Sequence, residues 1–282
     1  MLTGATGVVG RAIHLDLLRR GHEVRVTARP GSASRLAVPV PSHAIIEAPD
    51  IFACDASWWA EQCQGADAII HSAWYVEHGR YANAPENAAC VHGSFALAQG
   101  AAMAGVRHVI GLGTCMEYRL PGKRLSVDAP LEPANFYAAC KLAAFYMMGE
   151  WLALHNVRFS WCRLFYLFGE GEHPDRLSAY IHRQLAAGKR VALSSGMQMR
   201  DFLDISIAGP MIASLVDSGQ QGAINICSGV PITLRAFAEQ IADLYGRRDL
   251  LDFGGRPSDP WDPAAVVGVC NLETSAPILE HL

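Results

Sequence analysis

The segment Thr3-Gly4-Ala5-Thr6-Gly7-Val8-Val9-Gly10 constrains this chain more than any other, because glycines at that spacing suit a tight turn joining a strand to a helix. One glycine permits the bend, another lets the backbone approach an anion, and a third lets the helix pack closely on the sheet. Residues 9–20 then carry apolar side chains at helical spacing and stop at Gly21. The free N–H groups and positive dipole end of a helix beginning near Val8 suit a pyrophosphate, with Gly4, Thr6, Gly7, Val8, Val9 and Gly10 around it. A purely structural glycine turn is the alternative, but the strand remnant before it and the amphipathic helix after it favour a dinucleotide site. Only Met1 and Leu2 precede Thr3, so the first strand is expected to be clipped and the end after Glu273 similarly short.

Beyond that turn, short apolar runs alternate with helical patterns, as expected of β-α-β units in a parallel sheet. Strands are expected at 24–28, 44–47, 68–71, 108–112 and 159–165, and helices at 87–105, 137–155, 173–188, 205–218 and 234–245. There is no internal repeat and no low-complexity linker, so a second domain must be interleaved with the first.

Composition excludes several classes. With 282 residues, 51% of them apolar, the chain can bury a sizeable core. A net charge of −4 leaves no broad basic footprint for nucleic acid, and no run is long and apolar enough to span a bilayer. The eight cysteines, at 54, 63, 90, 115, 140, 162, 227 and 270, form no C-x-x-C pair and have no regular spacing. They read as buried or half-buried thiols in a reducing cytoplasm, and no metal site is expected.

Cofactor choice is read at the end of the second strand, where a carboxylate would accept from a ribose 2′-OH and a cation would pair with a 2′-phosphate. Ala28 and Arg29 stand there, with Ser32 and Arg35 close behind and no carboxylate, which favours NADP over NAD; the alternative for Arg29 is a solvated strand-end charge. Downstream, Tyr137 and Lys141 are four residues apart in a helical pattern and share one face. A phenol titrates near pH ~10, and a neighbouring ammonium is expected to lower that, poising it for acid or base work. Thr114, at a strand end, supplies a hydroxyl for a substrate oxygen as hydride moves at the adjacent carbon.

With these residues in place, the chain resembles the extended short-chain dehydrogenase/reductases, in the branch of NAD-dependent epimerase/dehydratases of nucleotide sugars. The resemblance runs through Thr3 to Gly10, Asp55, His71-Ser72-Ala73, Gly113-Thr114 with Glu117-Tyr118, Pro133 to Lys141, Arg163 to Gly169, Arg200 to Leu203 and Asn225 to Gly229. It implies an α/β Rossmann fold, a doubly wound parallel sheet with a small interleaved carboxyl-terminal substrate domain. The expected division is 1–165 plus 199–222 for the dinucleotide and 166–198 plus 223–282 for the substrate. Asp55 would contact the adenine side of the cofactor, with Ser72, Ala73, Leu164 and Phe165 as further cofactor contacts and Lys141 on the nicotinamide ribose. Arg200 would neutralise a substrate diphosphate, unless it is a local ion pair with Asp201; Trp74, Tyr75, Met116, Glu117 and Tyr166 would line the sugar pocket. A homodimer through helices 87–105 and 137–155 is also implied.

Departures from the family pattern narrow the activity. Sugar-nucleotide 4,6-dehydratases carry Asp-Glu directly after the catalytic Thr, where this chain has Cys115 and Met116. Cys115 and His173 are displaced from the acid/base positions of ring-epimerising reductases and read as structural or substrate-wall residues. The 4-epimerase asparagine is absent at Tyr166, and Cys90 replaces another. The expectation is therefore an NADP(H)-dependent reductase of a nucleotide-linked 4-keto-6-deoxy sugar, with Tyr137 as proton donor. The alternatives are a 4-epimerase with tightly bound NAD and a non-catalytic NADP-sensing protein.

Overall fold

The structure is a computed structural model that describes residues 1–259 and 262–273. Its elements, in chain order, are β1 (Leu2–Thr3), α1 (Val8–Arg19), β2 (Val26–Ala28), β3 (Ile45–Glu47), α2 (Ala56–Gln62), β4 (Ala68–His71), α3 (Glu86–Met103) and β5 (His108–Thr114). There follow β6 (Gly122–Leu125), α4 (Phe136–Leu154), β7 (Arg158–Leu164), β8 (Tyr166–Phe168), α5 (Leu177–Ala186), β9 (Val191–Leu193), β10 (Met199–Arg200) and β11 (Phe202–Asp204). The last are α6 (Ile205–Ala213), α7 (Leu215–Ser218), β12 (Gly222–Ile226), β13 (Ile232–Thr233), α8 (Leu234–Asp243), β14 (Leu251–Phe253) and β15 (Ala265–Gly268).

Seven strands form one parallel sheet in the order β12-β7-β5-β4-β1-β2-β3. Strand order reverses between β1 and β4, and the carboxyl ends of those two strands are where a doubly wound sheet leaves its crevice. Both faces are covered, so adjacent residues of one strand enter different cores. Ile70, Ile110, Cys162 and Ile224 pack with Ile13 and Leu17 of α1 and Met211 and Ile212 of α6. Ile69, Val109, Phe159 and Trp161 face α2, α3 and α4 through Trp59, Leu97 and Met148. Among the described residues no helix is long and apolar enough to cross a membrane.

The smaller unit is a four-stranded sheet, β13-β10-β15-β6, with α5 and α8 packed around a separate apolar cluster. Three placements differ from the expected division, the first being Gly122–Leu125, which pairs with β15 in the smaller sheet although it falls within 1–165. Gly222–Ile226 completes the seven-stranded sheet by pairing with β7, and Met199–Arg200 pairs with β13 and β15 in the smaller one. Residues 274–282 of the expected substrate unit lie outside the described residues. The helix expected from 173 starts only at Leu177, because Pro174 disfavours helix at His173 and Asp175 N–H donates to the His173 ring (3.2 Å). The helix expected over 205–218 breaks at Ser214, whose hydroxyl donates to the Met211 carbonyl (2.8 Å).

Two histidines lie inside the sheet. His71 is hydrogen-bonded to Thr3 and Ser94, and His108 to Ser160 (2.7 Å). Burial pushes His71 down to about 3 and His108 down to about 4 from an ordinary 6.5. Above pH 6.5 both are neutral whether the chain is folded or unfolded, and their stabilising contribution is fully present. Below it the unfolded chain takes up protons that the folded chain refuses, so stability is lost as pH falls towards about 4 and then about 3. The urea midpoint should therefore drop between pH 6.5 and 4, and His108→Gln should flatten that drop; an unaltered slope in the variant would place the acid sensitivity elsewhere.

Candidate active site

The glycine turn is shaped by close backbone approach. Gly4 has φ +70°, and a Cβ there would sit 2.7 Å from the Ala73 amide nitrogen. A Cβ on Gly10 would collide with the Gly4 carbonyl, so α1 can lie against the turn only because Gly10 has none. Gly7 caps α1 with no side-chain hydrogen bond, which leaves the first N–H groups of the helix directed at the crevice. A pyrophosphate fits this cradle, with Thr6, Val8 and Val9 half-exposed around it.

The turn is locked to the strand beside it by a buried polar chain. Ala73 N–H donates to the Thr3 hydroxyl (3.2 Å), Thr3 donates to His71 Nδ1 (2.8 Å), and His71 Nε2 donates to Ser94 (2.9 Å). Ser94 in turn donates to the Cys90 carbonyl (2.6 Å), which fixes the direction of every proton in the series. Ser72 and Ala73 are thereby held half-buried at the end of β4, beside the glycine turn.

The remaining expected cofactor residues are distributed as follows. Arg29 is exposed at the end of β2; Ser32 donates to its carbonyl (2.7 Å), and neither Arg29 nor Arg35 joins an ion pair among the described residues. The Asp55 carboxylate caps α2 by accepting from Trp58 N–H (2.8 Å). Leu164 is half-buried at the end of β7, whereas the Phe165 side chain is turned into the apolar cluster with Tyr118 and Cys227, so only its backbone is offered to a ligand.

Thr114, Tyr137 and Lys141 come together across β5 and α4. Asn135 caps α4 by accepting from Ala138 N–H (2.9 Å), which starts the helix so that Tyr137 lies in its first turn and Lys141 one turn on. The Tyr137 phenol lies within reach of the Thr114 hydroxyl, whose influence on it favours the phenolate against the larger effect of burial. Lys141 Nζ donates to the Leu112 carbonyl (2.5 Å) and lies 3.8 Å from the centre of the Trp74 ring and 5.9 Å from that of Tyr137.

The electrostatics differ from the sequence expectation. Burial, together with Tyr81, Glu117 and Cys115, pushes the Tyr137 phenol above its ordinary value. Burial pushes Lys141 itself down to about 7. The site as built therefore keeps a protonated phenol beside an amine that is balanced between its charged and neutral forms near pH 7.

Glu117 is a correction. It is fully buried, and its carboxylate accepts from Thr114 N–H (2.9 Å), Trp161 Nε1 (3.0 Å) and Arg163 Nε (2.7 Å), so no part of it faces a sugar. Its work is to hold Thr114 at the strand end. Burial raises the carboxyl against the pull of Arg163, whose side chain is 1% exposed.

Other expected pocket residues are also committed elsewhere. Tyr75 donates to Glu77 (2.6 Å) on an exposed loop, and Trp74 lies against Lys141 with its N–H given to Asn87 (2.8 Å). Met116 and Tyr166 are half-buried at the cleft. Arg200 is 3% exposed; it donates to the Met199 and Pro263 carbonyls (2.8 Å each) and pairs with Asp262, not Asp201. Asp201 instead accepts from Ser228, Gly229 and Gly268. His173 stacks on His78 with ring centres 4.7 Å apart.

Two features escaped the sequence reading, a tyrosine and a cavity. Tyr81 sets its ring edge-on to Tyr137 at 4.9 Å, from a loop without periodicity to betray it. Cys115, read from the sequence as a structural or substrate-wall residue, is 4% exposed and has its thiol pushed up to about 12 by burial, so it stands beside the phenols without nucleophilic character. A cavity of about 490 Å³ in the smaller unit is lined by Tyr180, Arg183, Gln198, Arg256 and Asp262, among others. The signal for Arg256 was the run Arg256-Pro257-Ser258-Asp259, which holds a cation in a turn.

A dinucleotide cradle facing a Thr-Tyr-Lys constellation on a doubly wound sheet defines an NAD-dependent oxidoreductase of the extended short-chain dehydrogenase/reductase type. The chain belongs to the NAD dependent epimerase/dehydratase family, a model of which matches residues 1–227. It is 24% identical over 270 residues to the dTDP-6-deoxy-L-talose 4-dehydrogenase (NAD(+)) of Aggregatibacter actinomycetemcomitans, an alignment covering 95% of this chain and 98% of that one. Among solved structures it shares its fold with a UDP-N-acetylglucosamine 4-epimerase from Methanobrevibacter ruminantium M1 (TM-score 0.83, 18% identity, 96% of this chain and 88% of that one). It shares it also with the dTDP-glucose 4,6-dehydratase DesIV from Streptomyces venezuelae with NAD bound (TM-score 0.81, 21% identity, 98% and 92% of the two chains).

The Glu117–Arg163 pair yields a direct test. Glu117→Ala leaves a buried guanidinium unpaired and should cost about 3–5 kcal/mol of stability in urea unfolding. The double variant Glu117→Leu/Arg163→Met should recover much of that stability while leaving Thr114 poorly held. Equal loss in the single and double variants would show that the charge pair is not what matters.

Proposed function

We propose that this chain is an NADP(H)-dependent reductase of a nucleotide-linked 4-keto-6-deoxy sugar. The observation that carries the reading is the buried Tyr137 phenol beside Thr114, kept protonated by burial, with Lys141 one helical turn away and its ammonium 5.9 Å from the phenol ring. The bound cofactor, when reduced, supplies a hydride to the ketone carbon. Tyr137 gives its proton to the ketone oxygen, which leaves a secondary alcohol, and Thr114 orients that oxygen by its hydroxyl. Lys141 offsets the negative charge that Tyr137 acquires. Cys115 and Met116 follow Thr114 where elimination of water would need carboxyl groups, which favours plain reduction over dehydration. The relation to a protein named as a 4-dehydrogenase of a dTDP-linked 6-deoxy sugar supports the same substrate class.

The nucleotide is assigned to the cavity beside Arg183 and Arg256, whose guanidinium groups suit phosphate oxygens. Arg200 would reach a diphosphate only by giving up Asp262. NADP is favoured by the unpaired, exposed Arg29 at the end of β2, whereas the 4-dehydrogenase and DesIV are named with NAD, so cofactor choice is the point most open to measurement. A second copy of the chain would cover Met103 of α3 and Tyr146, Met147 and Leu154 of α4, which are exposed apolar side chains suited to a homodimer. A 4-epimerase is the second reading, favoured by the relation to UDP-glucose 4-epimerases.

Reduced-cofactor absorbance during incubation with nucleotide-linked 4-ketosugars tests these readings together. Net consumption should occur, and Tyr137→Phe should lower kcat by about 10²–10⁴-fold without weakening cofactor binding. Wild-type turnover in that variant would refute the mechanism, and interconversion of sugars on copurified cofactor without consumption would establish the epimerase. Arg29→Ala should reduce the preference for NADPH over NADH about tenfold; an equal preference in both proteins would leave Arg29 as a solvated charge.

A further inference from the structure

We infer that Trp74 is a positioning residue for Lys141, its indole face holding the buried ammonium charged and directed between the Leu112 carbonyl and Tyr137. The inference rests on the reading of Lys141 as the partner of Tyr137. The ammonium nitrogen lies 3.8 Å from the ring centre, well within the range of a cation–π contact, and such contacts gain strength when water is excluded. Lys141 is 4% exposed and joins no ion pair among the described residues.

The surroundings leave few other sources of stabilisation for the charge. The groups that face Lys141 are Cys90 on α3, Glu117 after β5, His71 on β4 and Tyr137 on α4. The Cys90 thiol is pushed up to about 11 and the Tyr137 phenol is raised, so neither is an anion near neutral pH. His71 is pushed down to about 3 and is neutral as well. The Glu117 carboxylate favours the ammonium by its charge, but its hydrogen-bonding positions are given to Arg163, Trp161 and the Thr114 amide, so it makes no direct contact. In direct contact with the ammonium are one carbonyl, at 2.5 Å, and the Trp74 indole face, at 3.8 Å, while the Tyr137 and Trp161 rings stand farther off at 5.9 Å each.

The indole is also anchored from behind. Its N–H donates to Asn87 (2.8 Å), and the Asn87 amide donates to the carbonyls of Tyr81 (2.7 Å) and Ala84 (2.9 Å). Phe52 meets the ring edge-on at 6.4 Å. A side chain used only as a wall for sugar would not need its polar edge fixed so that one π-face meets a buried cation.

The titration of Lys141, followed in the full-length protein by NMR of lysine labelled at Cε, tests the inference directly. Trp74→Leu should lower the pKa of Lys141 so that its acid dissociation constant rises about tenfold, with Trp74→Phe in between. Replacing tryptophan throughout with increasingly fluorinated analogues, which keep the shape and weaken the π-face, should lower the lysine's pKa in graded steps. In a Trp74→Phe background the same series should become much shallower, leaving only the weaker effect of Trp161 at 5.9 Å. If the leucine variant does not fold, the phenylalanine variant and the fluorinated series still decide the matter. A lysine titration unchanged across the fluorinated series overturns the inference. Failure of the reductase reading would appear instead as turnover surviving in Tyr137→Phe, which is a separate observation.

Discussion

The site depends on one buried ion pair. Glu117 and Arg163 are almost wholly withdrawn from water, and the carboxylate collects the Thr114 amide from β5 and the Trp161 indole and Arg163 guanidinium from β7. Such a pair gains little net stability, because both ions lose their hydration. Its value here is geometric. With every acceptor position of Glu117 taken up, the turn after β5 has one arrangement, and the Thr114 hydroxyl is presented to Tyr137 from a fixed backbone. Arg163 also donates to the Tyr118 hydroxyl (3.1 Å), which donates to Asn225 (2.7 Å), so the same network reaches β12 at the sheet edge.

Around that anchor, burial sets the proton chemistry more than any charge does. The same desolvation that raises a phenol lowers an amine, because in each case the charged form is the one disfavoured. Tyr137 and Lys141 are pushed in opposite directions by one dry environment, and the cleft holds a proton donor next to a base of moderate strength. The three phenols of Tyr81, Tyr137 and Tyr166 all lie near Cys115 and all are raised, so no negative charge accumulates there at neutral pH. A substrate oxygen that becomes negative during reduction would meet neutral hydroxyl donors there.

The glycine turn is held by a different device. Close approach of Gly4 to Ala73 needs both the absence of a side chain and a partner to keep the two segments together, and the Thr3-His71-Ser94 series supplies the second. His71 is neutral there for the same reason that the Lys141 amine is a weakened base, and burial dominates both. The polar groups of this series are thus tolerated because each is satisfied by a neighbour, the usual condition for burying them.

Local pattern made the doubly wound sheet, the cradle and the identities of Thr114, Tyr137 and Lys141 legible, since glycine spacing, strand alternation and the four-residue helical repeat are short-range properties. The family relationship was legible in the same motifs. The sequence did not disclose that Glu117 is interior and Trp74 lies over an ammonium, nor that Arg200 is engaged by Asp262, 62 residues away. Each of these depends on which residues distant along the chain arrive beside it, and on how much water that arrival removes. The direction of the Tyr137 shift was decided in the same way: spacing brought a lysine near, but its effect depends on burial and on where the ammonium points. Chain pattern alone determined which chemical groups this protein brings to its crevice, whereas their states of charge and their free faces were decided by the packing that desolvates them.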